Sequence, residues 1–225
     1  MQRRDLLMVL AATTAMGIPT TMAFAADQTM NVDVCIVGAG AGGISAGMAA
    51  VDAGFKTVIL EKLGVIGGGG NYMEGTFAVG SSLQIRDNVG INPEKQFKRV
   101  MDFHHWRING KNLNNWLKET ARTIDWMQEH GINFEGVHTA FIDGNRTWHM
   151  FEGGHGSSLI KTFSEKIKAK GGQILTSTPA ESLIIDKDGT VKGVIAKNEK
   201  GDRITINAKA VVISTGGFSC NPEMV

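Results

Sequence analysis

Cysteine is nearly absent from these 225 residues, with two in all, Cys35 and Cys220. Cys35 falls inside an apolar run, where a small buried thiol is the ordinary case, so no structural disulfide is expected. No Cys-x-x-Cys-His string occurs, which removes the signature of covalently attached haem. An excess of either charge is missing too: 23 lysines and arginines face 22 acidic residues. A balanced chain has no cationic surplus to displace counterions from a nucleic acid or to hold an anionic membrane, so neither is expected as a partner. The longest apolar stretch near the start, Leu6 to Ile18, is too short to span a bilayer comfortably. What remains, 42% hydrophobic and 20% charged, is the composition of a globular domain with a real core. Glycine is plentiful at 29 residues, and its clusters punctuate apolar runs as turns built around a ligand would.

The first 25 residues read as an export signal. Charged residues precede the apolar stretch, and Ala23-Phe24-Ala25 supplies a small-x-small cleavage site. Arg3-Arg4 resembles the twin-arginine signal, the alternative being an ordinary Sec signal. Twin-arginine export, as that resemblance implies, carries proteins already folded, which suits a noncovalent cofactor loaded before export. Residues 1–25 are therefore set apart from a domain over residues 26–225, exported to the periplasm or cell surface, with no stable membrane span after cleavage.

Asp33 to Val37 is a short run rich in valine and isoleucine, and Thr57 to Leu60 is a second. Between them Gly38-Ala39-Gly40-Ala41-Gly42-Gly43 opens a helix of small residues from Ile44 to Ala53. This is the start of a βαβ unit. Gly38, Gly40 and Gly43 match G-x-G-x-x-G in its proper context: one for a tight turn, one for backbone contact with a pyrophosphate, one for close helix packing. The helix N-terminus turns free N–H groups and a favourable dipole toward the phosphates. Glu61, 18 residues beyond Gly43 at the end of the second strand, can accept hydrogen bonds from ribose hydroxyls. NAD and FAD share this fingerprint. A second glycine loop, "LGVIGGGGNYMEGTFAVGSS", follows the acid directly and suits the longer, extended FAD.

The strings "VILEK…GGN", "GINFE", "DGTVKGV" and "VVISTGGFSCNPEM" resemble the FAD-binding domain of the fumarate reductase and succinate dehydrogenase flavoprotein family, especially its soluble exported, flavocytochrome-c-type reductases. The resemblance covers residues 31 to 225. It implies a Rossmann-like α/β domain with a parallel sheet, an antiparallel β-meander and a helical insertion. It further implies FAD contacts from Gly38, Ala39, Gly40, Ala41, Gly43, Glu61, Lys62, Gly69, Gly70, Asn71 and Thr76. Ala180 would meet the adenine edge, and Thr215, Gly216 and Gly217 would approach FAD from a later turn. Tyr72 stands where the family has a hydroxyl residue, and Gly75-Thr76-Phe77-Ala78 where it has a small doublet and two glycines.

Elsewhere the periodicity predicts helices over residues 92–107 and 112–131, the second with a stripe of Leu113, Trp116, Leu117, Ala121, Ile124 and Met127 and a C-cap at Gly131. Both tryptophans, Trp116 and Trp126, read as core packing. His104 and His105 are adjacent, so they point to different faces of a helix, and no metal site is expected. His149 and His155 read either as loop histidines or as residues near the flavin. A helix is predicted from Ser157 to Lys170 and a third parallel strand from Gln173 to Ser177. A three-stranded meander spans Glu181 to Asn207, and a separate strand from Ala210 to Ser214 returns to the sheet. Asn221-Pro222-Glu223 reads as a helix start.

The resemblance implies reduction of the C=C bond of fumarate or another unsaturated carboxylate by hydride from flavin N5, with electrons from an external donor such as a cytochrome c or a quinol-linked cytochrome. In the family, the residues that clamp substrate and deliver the proton come after the matched segment, so no catalytic residue is named and the domain is expected to be incomplete. The alternatives are a flavin-binding fragment without catalysis and an NAD-dependent dehydrogenase.

Overall fold

The computed structural model describes residues 28–139, 144–219 and 221–225; the predicted export signal and Cys220 lie outside the described residues. Strand β1 (Gln28–Val37) enters helix α1 (Ala41–Asp52) through the first glycine cluster, and β2 (Thr57–Leu60) follows. All three elements were expected, β2 with these bounds, while β1 begins five residues before the predicted Asp33 and α1 three before the predicted Ile44. All four β2 residues are buried, as expected of a strand covered on both faces.

The larger sheet has six strands in the order β6-β2-β1-β9-β8-β7, with β6 at Gln173–Leu175, β7 at Ala180–Ile185, β8 at Val191–Lys197 and β9 at Arg203–Ile213. Strands β6, β2, β1 and β9 run parallel, whereas β8 is antiparallel to both β9 and β7. The predicted meander and the predicted returning strand thus share one element. Between Arg203 and Ile213 no glycine or proline interrupts the chain, and Ile204, Ile206 and Ala208 alternate inward, so one twisted strand serves both halves. The meander turns hold as expected, with Gly189 and Gly201 at positive φ.

One face of this sheet packs on α1 and on α5 (Ser157–Ala169) through Ile36, Ile44, Met48, Ile59, Phe163 and Ile167. The other face gathers Cys35, Val37, Val58 and Leu60 with Val194, Ala196, Ile204 and Ile206 of the meander. Cys35 is a free thiol, and its burial there pushes its pKa up to about 12.

A second sheet, in the order β3-β5-β4, was not anticipated: β3 is Gly75–Phe77, β4 Phe134–Thr139 and β5 Arg146–Phe151. Its strands are short and the hydrophobic alternation weak, so only the pairing reveals them. It packs beside three helices, α2 (Ser82–Arg86), α3 (Pro93–Phe103) and α4 (Gly110–Glu129). Asn92 and Asn109 accept hydrogen bonds at the starts of α3 and α4, and Gly131, at φ 80°, follows the end of α4. The buried stripe of α4 is Leu113, Leu117, Thr120, Ile124 and Met127. Trp116 is displaced from the expected core: it lies one residue off that stripe, 49% exposed, with its ring stacked 4.9 Å from Phe77. Trp126 does pack inward, edge-on to Phe163.

His149 is no loop histidine. It sits fully buried in β5, its Nδ1 facing the Thr147 carbonyl and its Nε2 2.6 Å from Ser81 Oγ. A carbonyl only accepts, so Nδ1 carries the proton and the Ser81 hydroxyl donates to Nε2. Burial holds the His149 imidazole below its ordinary value. The unfolded chain takes up this proton near pH 6.5, where the folded chain does not. This contribution to stability is complete above about pH 6.5 and is lost as the pH falls toward the lowered folded value. Thermal melts between pH 7.5 and 5.5 are therefore expected to fall less steeply in a His149→Gln variant than in the parent; equal slopes would remove His149 from the account.

His104, His105 and His155 are exposed, and residues 222–224 form a turn in place of the expected helix start, with Glu223 N–H donating to Asn221 Oδ1.

Candidate functional site

The site lies at the carboxyl ends of the parallel strands, where the first glycine cluster, the acid and the second glycine loop meet. Gly38 leaves β1 at φ 101°, and a Cβ on it would stand 2.3 Å from the Ser214 carbonyl oxygen. A Cβ on Gly43 would stand 1.8 Å from the Gly38 carbonyl oxygen, so no side chain fits where α1 turns back beneath its own entry. Together they let the first turn of α1 lie against the ends of β1 and β9. Gly40 is the N-cap of α1 and supplies no side-chain bond, so the first-turn N–H groups from Ala41 onward face the crevice without an intrahelical acceptor. Such a set of free amides suits an anion.

Glu61 directly follows β2 and is 8% exposed. Its Oε2 accepts from Ala39 N–H and its Oε1 from Leu63 N–H, each at 2.9 Å. A carboxylate offers about four acceptor positions, so two remain for ribose hydroxyls. The backbone at Glu61 is held from the other side by β6 and the segment after it: Glu61 N–H donates to Leu175 O and Thr178 N–H to Glu61 O, both at 2.8 Å. Ala180 begins β7 two residues later, half-buried. Lys62 is exposed.

The second glycine loop closes over the first. Gly67 N–H donates to Ala39 O at 2.8 Å, and Gly70 sits so close to α1 that a Cβ on it would be 2.9 Å from Ala41 N. Gly70 O in turn borders Gly156, the N-cap of α5, leaving 2.2 Å for a Cβ there. The loop, a 3₁₀ turn over Gly68–Tyr72, is thus wedged between the N-termini of two helices. Asn71 turns its side chain back onto this loop: Nδ2 donates to Ile66 O at 3.0 Å and fills the space beside Gly67. On the far side of β1, Ser214 N–H donates to Val37 O at 2.8 Å, which brings Thr215, Gly216 and Gly217 to the same strand ends.

The structure therefore brings Gly38, Ala39, Gly40, Ala41, Gly43, Glu61, Gly70, Asn71 and Thr215 together at the strand ends, with Gly69 in the second loop and Gly216 and Gly217 following Thr215 in the chain. Thr76 belongs to the smaller sheet, paired with His149. Sequence reasoning missed Gly67 and Gly156, which need space rather than chemistry, and the inward role of the Asn71 amide. The donor and acceptor set fits an adenine dinucleotide: uncapped amides for the pyrophosphate, a half-satisfied buried carboxylate for the ribose, and a second glycine-rich loop beyond.

Gly69 offers a test of the loop's role. A Cβ there meets nothing within 4 Å of the protein, so Gly69→Ala is expected to change the melting temperature by no more than a degree or two while weakening dinucleotide binding measurably. Unchanged binding would take Gly69 out of the contact surface.

A family model described as FAD binding domain matches residues 33–224. The chain is 33% identical over 194 residues to the vinyl phenol reductase of Lactiplantibacillus plantarum, covering 86% of this chain and 39% of that one. It is 32% identical over 203 residues to the urocanate reductase of Eggerthella lenta, covering 87% and 33%. A cytochrome-type fumarate reductase of Shewanella frigidimarina is 28% identical, with 86% and 34% covered. The open conformation of a flavocytochrome c3 fumarate reductase superposes with a TM-score of 0.80 at 23% identity, over all of this chain and 38% of that one. The chain thus spans between a third and two fifths of the relatives' length.

Proposed function

The chain belongs to the FAD binding domain family, and from that premise we propose that it is the FAD-holding part of an exported oxidoreductase that reduces the C=C bond of fumarate or another unsaturated carboxylate. The observation that carries this reading is the Glu61 carboxylate, buried and bonded to Ala39 N–H directly beneath the uncapped start of α1. The relatives named above, reductases of vinyl phenol, urocanate and fumarate, support the reaction class.

FAD, once bound and reduced by the external electron donor, would supply a hydride to an activated C=C bond. The chain's own residues do the holding. Amides of Ala41, Gly42 and Gly43 would face the pyrophosphate and Glu61 would accept from the ribose, with the second loop braced beside them by Asn71. Thr215 to Gly217 border it beyond β9. Ala180 and Thr76 are assigned to FAD by family resemblance. None of the 225 residues is assigned the proton-donor role, and the electron donor is proposed to be a cytochrome.

The test is direct. The chain lacking residues 1–25 is purified, loaded with FAD and supplied with reduced viologen and a panel of fumarate, urocanate and other enoates. A yellow protein is expected from this chain, and enoate-dependent oxidation of the viologen once polypeptide equivalent to the unmatched part of the relatives is joined to it. A yellow protein inert to every enoate even then would favour the second reading, a flavin-binding unit without catalysis, which the partial coverage of the relatives supports. An NADH-dependent reaction without flavin would contradict both.

A further inference from the structure

Helix α3 turns one face inward through Gln96 and Met101, with Phe97 and Val100 half-buried. Its other face carries Lys95, Lys98, Arg99 and Asp102, and the helix ends on Phe103, which is 75% exposed. Between Pro93 and Arg107 stand four lysines and arginines and two acids, a local excess of two positive charges. The acid within this face is occupied on both sides: Asp102 pairs with Lys98 and accepts from Trp106 Nε1 at 2.8 Å. The balanced charge of the whole chain does not register such a patch, because a charged surface meets one face of a protein and not its total.

The turn after α3 is strained. His105 and Trp106 hold φ at 51° and 58°, the left-handed region that glycine enters freely and that bulky side chains resist. Both residues are exposed, so packing in the core does not impose this conformation. Trp106 N–H donates to Met101 O at 2.8 Å, and the indole reaches back to Asp102 over the last turn of the helix. The outcome of the strain is a ring, 59% exposed, laid against the basic face at the end where Phe103 also stands in solvent.

We propose that the outer face of α3 and the turn through Arg107 form a docking surface for an anionic lipid bilayer. Charge complementarity and residue type select this occupant. Lysine and arginine lay their apolar stems along a surface while lifting their charges to phosphate headgroups, and each cation adds to the attraction. Tryptophan and phenylalanine settle at headgroup level, where one side of the ring is apolar and the other wet. A protein partner would disfavour lysine at the centre of its contact. The contact is peripheral, since among the described residues no helix is long and apolar enough to cross a membrane.

Vesicle sedimentation tests this. The chain without residues 1–25, which removes the apolar Leu6 to Ile18 stretch as a lipid binder, is mixed with vesicles of phosphatidylcholine alone or of equal parts phosphatidylcholine and phosphatidylglycerol. Binding at least about tenfold tighter to the anionic vesicles is expected. Lys95→Gln combined with Arg107→Gln is expected to weaken that binding by about tenfold or more. Trp106→Gly separates contact from folding. Glycine relieves the left-handed strain, so this variant is expected to melt within about two degrees of the parent while binding anionic vesicles about tenfold more weakly. No binding to either vesicle, equal binding to both, or binding that either variant retains in full overturns the proposal. Equally tight binding of the parent to soluble polyglutamate overturns it as well, in favour of an acidic polypeptide.

Discussion

Gly43→Ala is expected to abolish FAD retention and to lower folding stability by about 3 kcal/mol or more, at the upper end of what overpacking costs. The added methyl would have to occupy a point 1.8 Å from the Gly38 carbonyl oxygen, and the atom in its way is backbone, which cannot rotate aside. Relief requires α1 to lift from the end of β1, moving the first-turn amides proposed to hold the pyrophosphate and unpacking Ile44 from the core. Thermal melting and flavin absorbance after gel filtration read the two effects separately. A variant that melts like the parent and stays yellow would mean that the turn is looser than its geometry.

Glu61→Ala is expected to weaken FAD binding by about 1.5–3 kcal/mol, roughly 10- to 150-fold, the scale of hydrogen bonds to a charged group. The same change strands Ala39 N–H and Leu63 N–H without their acceptor, so a loss of stability of about 1–3 kcal/mol accompanies it. Glu61→Gln separates the two roles. One amide oxygen can still accept from a backbone N–H, but the NH₂ then confronts the other, so binding and stability should both fall between parent and alanine variant. Flavin fluorescence titrations of the three proteins give the affinities; equal values would remove the carboxylate from the ribose.

The first βαβ unit was fully legible because every signal there is local. Valine and isoleucine runs set β1 and β2, the glycines open α1, and Glu61 falls at the strand end by counting alone. The helices at Pro93–Phe103 and Gly110–Glu129 were legible from caps and period in the same way. Pairing partners were not. Strands β3, β4 and β5 are short and lie far apart in sequence, and their cohesion comes from long-range registers such as Thr76 with His149. The burial of His149 follows from that register and from Ser81, 68 residues away, which no local pattern connects. Trp116 misled because an amphipathic helix tolerates a large ring at the margin of its stripe, where Phe77 covers one face.

Within the site, chemistry was easier to read than space. The acceptor carboxylate and the amide-rich turns announce themselves by residue type. That Gly70 presses on Ala41 and Gly156 on Gly70, or that Asn71 braces its own loop instead of reaching outward, depends on how two loops nest, and only the coordinates of both disclose it.

The most direct test is a pair of fluorescence titrations on the chain without residues 1–25, one with FAD and one with FMN. The two ligands share the isoalloxazine ring, and FMN lacks the adenosine half that Glu61 and the start of α1 are proposed to hold. Saturable binding of FAD with at least about tenfold weaker binding of FMN is the predicted result. Equal affinities, or no binding of FAD, would contradict the site described here.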